Sequence, residues 1–271
     1  MENIQNVSTL SIVFMSISVF LAIIVPIGII IWMGVKKRLN AKAAFFGVLL
    51  FIVFALVLEN LMHRLVLGKD PTQSAIYKNV VLYMLYGGFA AGIFEEAARL
   101  LGFKFLIRVR EGESLNTGIS YGLGHGGIEA VLLGGFVSAS YLITSIMLNG
   151  GLLKGMTASM NEQQIANFNQ GISAITSSPS GLFLIVGIER LIALTLQVAL
   201  SLFVFKAVTE KKWQYFIYAV LIHAGIDMVA VLGQRGYIGN MYLMEGIVLA
   251  ATVASIIAAF RVNKRVKTEP A

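Results

Sequence analysis

Phe94-Glu95-Glu96-Ala97-Ala98-Arg99, residues 94–99 of the chain, place two adjacent carboxylates and a guanidinium group inside a long apolar run. An ionisable side chain in a bilayer is costly, so it normally faces the interior of a helix bundle and marks a functional position. At ~100° per residue, Gly88, Gly92, Glu95 and Arg99 share one helical face, with Glu96 beside it. Glycines let a second helix approach closely, which predicts that these charges lie against protein. A purely structural buried ion pair is the alternative interpretation.

The composition of the 271-residue chain is that of a membrane protein. Hydrophobic residues make up 57% and charged residues 13%, about half the charged share of a soluble domain, and the mean hydropathy is +0.81. The sequence predicts an all-α polytopic bundle, a single transmembrane domain over 1–271 with a motif-bearing core at about 77–233. Seven apolar runs have spanning length, at about 9–33, 43–62, 77–107, 115–149, 180–206, 213–233 and 241–260.

Lysine and arginine are distributed unequally between the two ends of these runs. One set of ends carries fourteen: Lys36, Lys37, Arg38, Lys42, Lys104, Arg108, Arg110, Lys206, Lys211, Lys212, Arg261, Lys264, Arg265 and Lys267. The opposite set carries five: Arg64, Lys69, Lys78, Lys154 and Arg235. The positive-inside rule then predicts an N-terminus outside, a C-terminus in the cytosol and an extracytoplasmic loop at 150–179. The net charge of +7 is therefore an orientation signal, and no nucleic-acid partner is expected.

Three smaller features complete the outline of the chain. Cysteine is absent, which excludes disulfides and a thiol nucleophile. The first apolar run is too long for the core of a signal peptide and is expected to be retained, with a kink at Pro26. In the long loop, Ser159 and Glu162 have capping-box spacing, which predicts a short surface helix from there to about Asn169.

Two further spans carry a histidine and a carboxylate at i,i+4 spacing. His125 precedes Glu129 in the fourth span, and His223 precedes Asp227 in the sixth. At ~1.5 Å rise per residue, Glu95, His125 and His223 all lie about ten to twelve residues from the predicted cytosolic ends of their spans. Polar groups at one depth on three helices predict a single buried site. The alternative for each histidine alone is an interhelical hydrogen bond.

These motifs resemble those of a known protease superfamily. Glu95-Glu96-x-x-Arg99, Tyr121-x-x-x-His125 and His223-x-x-x-Asp227, in this order, are similar to the motifs of the CAAX-protease/bacteriocin-processing (ABI) superfamily. The layout most resembles the YhfC-like branch of bacterial intramembrane proteases. The first motif departs from the superfamily pattern, which has three residues between the second glutamate and the arginine where this chain has two.

The resemblance implies an intramembrane endopeptidase of the bacterial cytoplasmic membrane, acting on a peptide or membrane-protein substrate within the lipid bilayer. Glu95 or Glu96 would be the base that activates water, and His125 would orient that water. His223 and Asp227 would stabilise the oxyanion, or Asp227 would fix the tautomer of His223. This mechanism is glutamic-type and is expected to need no cofactor. The supporting residues are expected to be Arg99, Tyr121, Glu129, Glu189 and Arg190.

Three alternatives stay open. The candidate residues hold five carboxylates against two guanidinium groups, a deficit that invites shared protons or a divalent cation such as zinc. The metal ligands would be His125, His223, Glu95 and Glu129, although the chain has no His-Glu-x-x-His motif. An ion- or proton-coupled secondary transporter would also use carboxylates at mid-membrane depth, but no inverted repeat is detectable. The third alternative is a non-catalytic scaffold that retains the motifs.

Overall fold

The computed structural model describes residues 6–108, 114–153 and 160–264. In these ranges the chain is helical without any strand, and seven of its helices are long and apolar enough to cross a membrane. We number them spans 1 to 7: Thr9–Val35, Ala41–Leu67, Val80–Ile107, Leu115–Asn149, Ser180–Thr209, Gln214–Gln234 and Met241–Val262. The predicted all-α, seven-span fold is confirmed. The orientation in the membrane stays a prediction.

The ends of the spans differ from the predicted ones by up to five residues, most of all in span 2. This helix begins after Asn40, whose side chain accepts a hydrogen bond from the backbone N–H of Ala43. It ends at Gly68, which has a positive φ of 83°. Capping groups determine where the helix starts and stops, whereas hydropathy marks only its apolar middle.

Three spans contain a π-helical segment: Phe20–Ile24 in span 1, Ile52–Glu59 in span 2 and Ala130–Gly135 in span 4. The first segment ends just before Pro26, which has no backbone N–H to bond the preceding turn. The N–H of the preceding residue, Val25, bonds to the carbonyl of Phe20, five residues back, where a regular α-helix would use the carbonyl four residues back. A π-helical segment thus precedes Pro26 within one continuous helix, and the kink predicted at Pro26 stays a prediction.

The surface helix between spans 4 and 5 runs over Glu162–Ser177. Its N-cap is Asn161, whose side chain accepts from the N–H of Gln164 at 2.9 Å while the Gln164 side chain accepts from the N–H of Asn161 at 2.9 Å. The prediction had the right element but the wrong start and length, because a second capping box begins two residues further along. Ser159 itself lies outside the described residues.

The described residues divide into two compact units. The first comprises the chain up to Ile27 together with Ala130–Leu191, and the second comprises Gly28–Glu129 together with the chain from Ile192. In the first unit, the Ser18 hydroxyl donates to the carbonyl of Phe183 and accepts from the N–H of Gly187 at 3.1 Å. These two bonds tie the first-unit parts of spans 1 and 5 together.

The second unit contains the helices that carry the three motifs. Spans 3 and 6 approach closely at two glycines of span 3. A Cβ on Gly88 would lie 2.5 Å from the carbonyl oxygen of Ala224, and one on Gly92 would lie 3.0 Å from that of Val220. The predicted close approach of another helix to the glycine face of residues 88–99 is confirmed, and it brings Glu96 to His223.

The part of span 5 in the second unit forms the centre of that unit's core. Its side chains Leu200, Leu202 and Phe205 are fully buried. Span 4 reaches this helix at Gly122, where a Cβ would lie 2.6 Å from the Cα of Val198. A polar side chain on the buried face of this stretch, such as Gln197, is therefore enclosed by protein and needs polar partners.

Candidate active site

Four ionisable side chains from three spans meet inside the second unit. Glu95 and Glu96 come from span 3, His125 from span 4 and His223 from span 6, and each residue is at most 8% exposed. Asp227 lies one turn beyond His223, with 32% of its side chain exposed. The structure thus brings together all five residues that the sequence predicted as catalytic; their roles stay predictions.

Glu95 faces span 4 and contacts His125. Its Oε2 lies 2.8 Å from Nε2 of His125, whose other ring nitrogen, Nδ1, is buried without a hydrogen-bond partner. The ring of Phe51 packs edge-on against the imidazole at a centroid distance of 4.9 Å. The histidine is therefore fixed by one carboxylate and one aromatic ring, and one of its nitrogens remains available.

Glu96 faces span 6 and contacts Arg99 and His223. Its Oε1 accepts from Nη1 of Arg99 at 2.7 Å and lies 2.8 Å from Nδ1 of His223. Its Oε2 is buried without a hydrogen-bond partner. The shortened Glu-Glu-x-x-Arg spacing puts the arginine at i+3 from Glu96, where helical geometry lets the two side chains pair.

His223 is surrounded by carboxylates. Besides the contact of Nδ1 with Glu96, its Nε2 lies 3.5 Å from Oδ2 of Asp227 and 3.8 Å from Oε2 of Glu95. Asp227 is thus placed to orient the imidazole, although its contact is longer than an ordinary hydrogen bond.

Gln197 of span 5 was not predicted as a site residue. Its Nε2 donates to Oε2 of Glu95 at 3.2 Å and also to Oε2 of Glu129, and its Oε1 accepts from Nη2 of Arg99. A signal was present, since an amide inside an apolar run of spanning length needs a polar partner. Only the contacts show that this amide joins the predicted carboxylates.

Tyr121 is fully buried beside the site. Its ring lies 4.7 Å from that of Phe103 and 6.3 Å from the imidazole of His125, measured between centroids. The hydroxyl has no hydrogen-bond partner. The tyrosine of the second motif therefore packs beside His125, and its hydroxyl is enclosed by protein.

Glu189 and Arg190, predicted as supporting residues, belong to the first compact unit. Nε of Arg190 donates to Oε2 of Glu189 at 3.0 Å. The arginine stem packs on span 4 at Gly134, where a Cβ would lie 2.3 Å from Cγ of Arg190. Their predicted supporting role stays a prediction.

Three residues of the second unit are arranged as a metal site would require. Glu95, His125 and Glu129 are all buried, and each offers a ligand atom within 4.8 Å of the others. Carboxylate oxygen and imidazole nitrogen are donors that zinc accepts in proteins. Three of the four ligands predicted for the metal alternative therefore lie together, and the fourth, His223, lies beside them through its 3.8 Å contact with Glu95.

Comparison with known proteins identifies the family. The family model described as YhfC intramembrane metalloprotease matches residues 21–248. The chain belongs to the YhfC intramembrane metalloprotease family. A protein of Bacillus subtilis (strain 168) named "Uncharacterized membrane protein YhfC" is 33% identical over 250 residues, which is 92% of this chain and 95% of the relative. No solved structure matches the chain.

Membership of the YhfC family confirms the predicted branch and the multi-pass membrane localisation. It supports an intramembrane protease over the transporter and scaffold alternatives. The link to the wider CAAX-protease superfamily stays a prediction. The expectations of a glutamic-type enzyme and of no cofactor are not supported, because the family is described as a metalloprotease and the chain holds a buried group of metal-binding side chains.

Proposed function

We propose that this protein is a metal-dependent endopeptidase that hydrolyses peptide bonds within the membrane. Glu95, His125 and Glu129 are its metal ligands. The observation that carries the proposal is the convergence of three buried ligand atoms within 4.8 Å of one another. The family description, an intramembrane metalloprotease, supports the same chemistry.

The donor set fits a divalent cation. Carboxylate oxygen and imidazole nitrogen are both zinc donors, and three protein ligands are the number found at a catalytic zinc, where the fourth position stays open. Glu95 and Glu129 bring two buried carboxylate groups to the same amide of Gln197, and Arg99 lies 3.5 Å from Oε2 of Glu95. When bound, the cation would supply Lewis acidity toward the oxygen of the scissile carbonyl group.

Glu96 is the proposed general base. Arg99 and His223 both hold its Oε1, whereas its Oε2 is buried and without a partner. This oxygen can accept the proton of the attacking water and pass it on to the leaving amine. Glu96 lies next to a proposed ligand in sequence but faces another helix, so it can serve as the base without being a ligand.

His223 is the proposed donor to the developing oxyanion. Nδ1 donates to the carboxylate of Glu96, so Nε2 can donate to the reacting group when the ring carries both protons. Asp227, 3.5 Å from Nε2, orients the ring. A donor in a site that excludes water stabilises negative charge more strongly than it would in water.

Metal binding is the direct test of this proposal. Purified protein in detergent would be stripped with a chelator, and its zinc affinity and stoichiometry would then be measured by titration. We expect about one zinc ion per chain, with binding lost in His125→Ala and Glu129→Gln because each variant removes a ligand.

Glu59→Gln is the matched control, because it also removes a carboxylate from within a span. Oε1 of Glu59 lies 3.2 Å from Nε2 of His63, in a Glu–His pair outside the proposed ligand set. The control should bind zinc like the wild type. A wild-type protein without stoichiometric metal, or His125→Ala protein that binds zinc normally, would contradict the proposal.

Peptide hydrolysis needs a separate experiment, one that also identifies the substrate. Membranes containing wild-type protein would be compared with membranes containing Glu96→Gln, and new peptide ends would be identified by mass spectrometry. We expect ends within transmembrane segments that appear only with the wild type and disappear after chelation. Identical sets of ends in both samples would contradict proteolysis.

A further inference from the structure

Gln197 lies where span 5 meets both span 3 and span 4, and the residue is 3% exposed. Span 4 contacts it through Gly126, where a Cβ would lie 2.8 Å from Cβ of Gln197. This close approach leaves the side chain little freedom. The glutamine is therefore held in one place by packing before any of its polar contacts is considered.

The orientation of the Gln197 amide is determined by its partners. Arg99 can only donate, so the oxygen Oε1 must face the guanidinium group and the nitrogen Nε2 must face the carboxylates. Nε2 carries two hydrogens, and it has two acceptors, Glu95 and Glu129. Both hydrogens of the amide are thus used, and its oxygen accepts from the guanidinium group.

Arg99 is fixed in turn on the other side. Its Nη1 donates to Glu96 at 2.7 Å and its Nε donates to the hydroxyl of Ser201 at 3.2 Å. A continuous chain of hydrogen bonds therefore leads from the proposed base, Glu96, through Arg99 and Gln197 to Glu95 and Glu129. A side chain that holds two carboxylates at once determines how far apart their oxygens stand.

We infer that Gln197 is a positioning residue that sets the metal affinity of the site. Its two hydrogen bonds hold the carboxylate ligands side by side, so that the cation meets a preorganised pair. The inference rests on the proposed function, since it assigns Gln197 a task only if Glu95 and Glu129 bind metal. Removing a residue that bonds to a metal ligand, and not to the metal itself, typically weakens metal binding about 10–100-fold. We expect an effect of that size for Gln197.

The test compares the zinc affinities of wild-type and variant proteins in detergent, each freed of metal with a chelator and then titrated with zinc. Gln197→Met keeps the approximate size of the side chain and removes both its donors and its acceptor. We expect zinc to bind it about 10–100-fold more weakly than it binds the wild type. Thr195→Val is the control, because it replaces a polar group two residues away on the exposed face of span 5 and leaves the amide in place, so it should keep the wild-type affinity.

A purely structural role is separated by thermal unfolding with and without zinc. A residue that only supports packing would lower the unfolding temperature of the metal-free protein and leave the zinc-induced rise unchanged. We expect the zinc-induced rise itself to shrink, because stabilisation by a ligand follows its affinity. If Gln197→Met does not fold, Gln197→Asn keeps the amide on a side chain one methylene shorter and should also bind zinc more weakly.

The outcomes separate the two proposals. A wild-type protein that binds no zinc overturns the proposed function and this inference with it. Wild-type protein that binds zinc, together with folded Gln197→Met or Gln197→Asn of unchanged affinity, overturns the inference alone.

Discussion

Gly124 lies so close to the backbone of Ala44 that a Cβ on Gly124 would stand 2.0 Å from the Ala44 carbonyl oxygen. Spans 2 and 4 therefore meet with their backbones in contact, one residue before His125. Backbone atoms cannot rotate away from a clash as side chains can. The position of His125 therefore depends on residue 124 being glycine. The same contact brings Phe51 of span 2 against the imidazole.

Gly124→Ala should therefore destabilise the protein. Overpacking of a tight core typically costs ~1–3 kcal/mol, and a clash with backbone puts this variant at or above the upper end of that range. Thermal unfolding in detergent measures the loss. Gly246→Ala in span 7 is the control, since nothing lies within 4 Å of a Cβ there. It should match or exceed the wild type, because alanine favours a helix over glycine. Equal unfolding temperatures for Gly124→Ala and the wild type would refute the tight contact.

Glu96→Gln and Glu95→Gln should fail in different ways. Loss of a general base typically lowers kcat ~10²–10⁴-fold, so Glu96→Gln should keep its zinc and lose hydrolysis. Glu95→Gln should bind zinc more weakly as well, because it changes a proposed ligand. Zinc titration and peptide-end analysis on the same preparations measure both properties. If Glu96→Gln loses zinc as readily as Glu95→Gln, the division of roles between the two residues is wrong.

The fold was predictable because the bilayer imposes a simple requirement. A spanning helix needs ~20 mostly apolar residues, and the chain shows seven such runs. Hydropathy alone could not locate the helix ends, because span 2 continues past the polar residues His63 and Arg64 to Gly68, which has a positive φ. It also could not choose between overlapping capping boxes at Ser159 and Asn161.

The site was predictable in its members but not in its pairings. Intramembrane carboxylates and histidines at one depth indicated a cluster, yet adjacent residues of a helix point ~100° apart. Glu95 therefore contacts His125 of span 4, and Glu96 contacts His223 of span 6. Which helix lies on which side follows from packing of distant segments, and so do the contacts of Gln197. The sequence alone could not supply this information.

Tyr121→Phe should fold at least as well as the wild type. The Tyr121 hydroxyl is buried without a hydrogen-bond partner, so its removal sacrifices no bond and relieves the cost of burying a polar group, typically ~1–3 kcal/mol. The aromatic packing on Phe103 and His125 is kept, and zinc affinity should stay unchanged. Thermal unfolding and zinc titration check both statements. A clear loss of stability would show that the hydroxyl has an intramolecular partner.

The orientation of the protein can be tested from its charge distribution. Because the 150–179 loop contains one basic residue, Lys154, whereas the connection between spans 1 and 2 contains Lys36, Lys37 and Arg38, the loop should lie outside. Reporter domains fused after Lys37, after Lys211 and at the C-terminus should be cytosolic, and one inserted into the helix Glu162–Ser177 should be extracytoplasmic. Replacing Lys36, Lys37 and Arg38 together by glutamine should produce a mixed orientation of the first span, because the strongest local retention signal is then gone. A cytosolic signal from the Glu162–Ser177 insertion in the unmodified chain would contradict the predicted orientation.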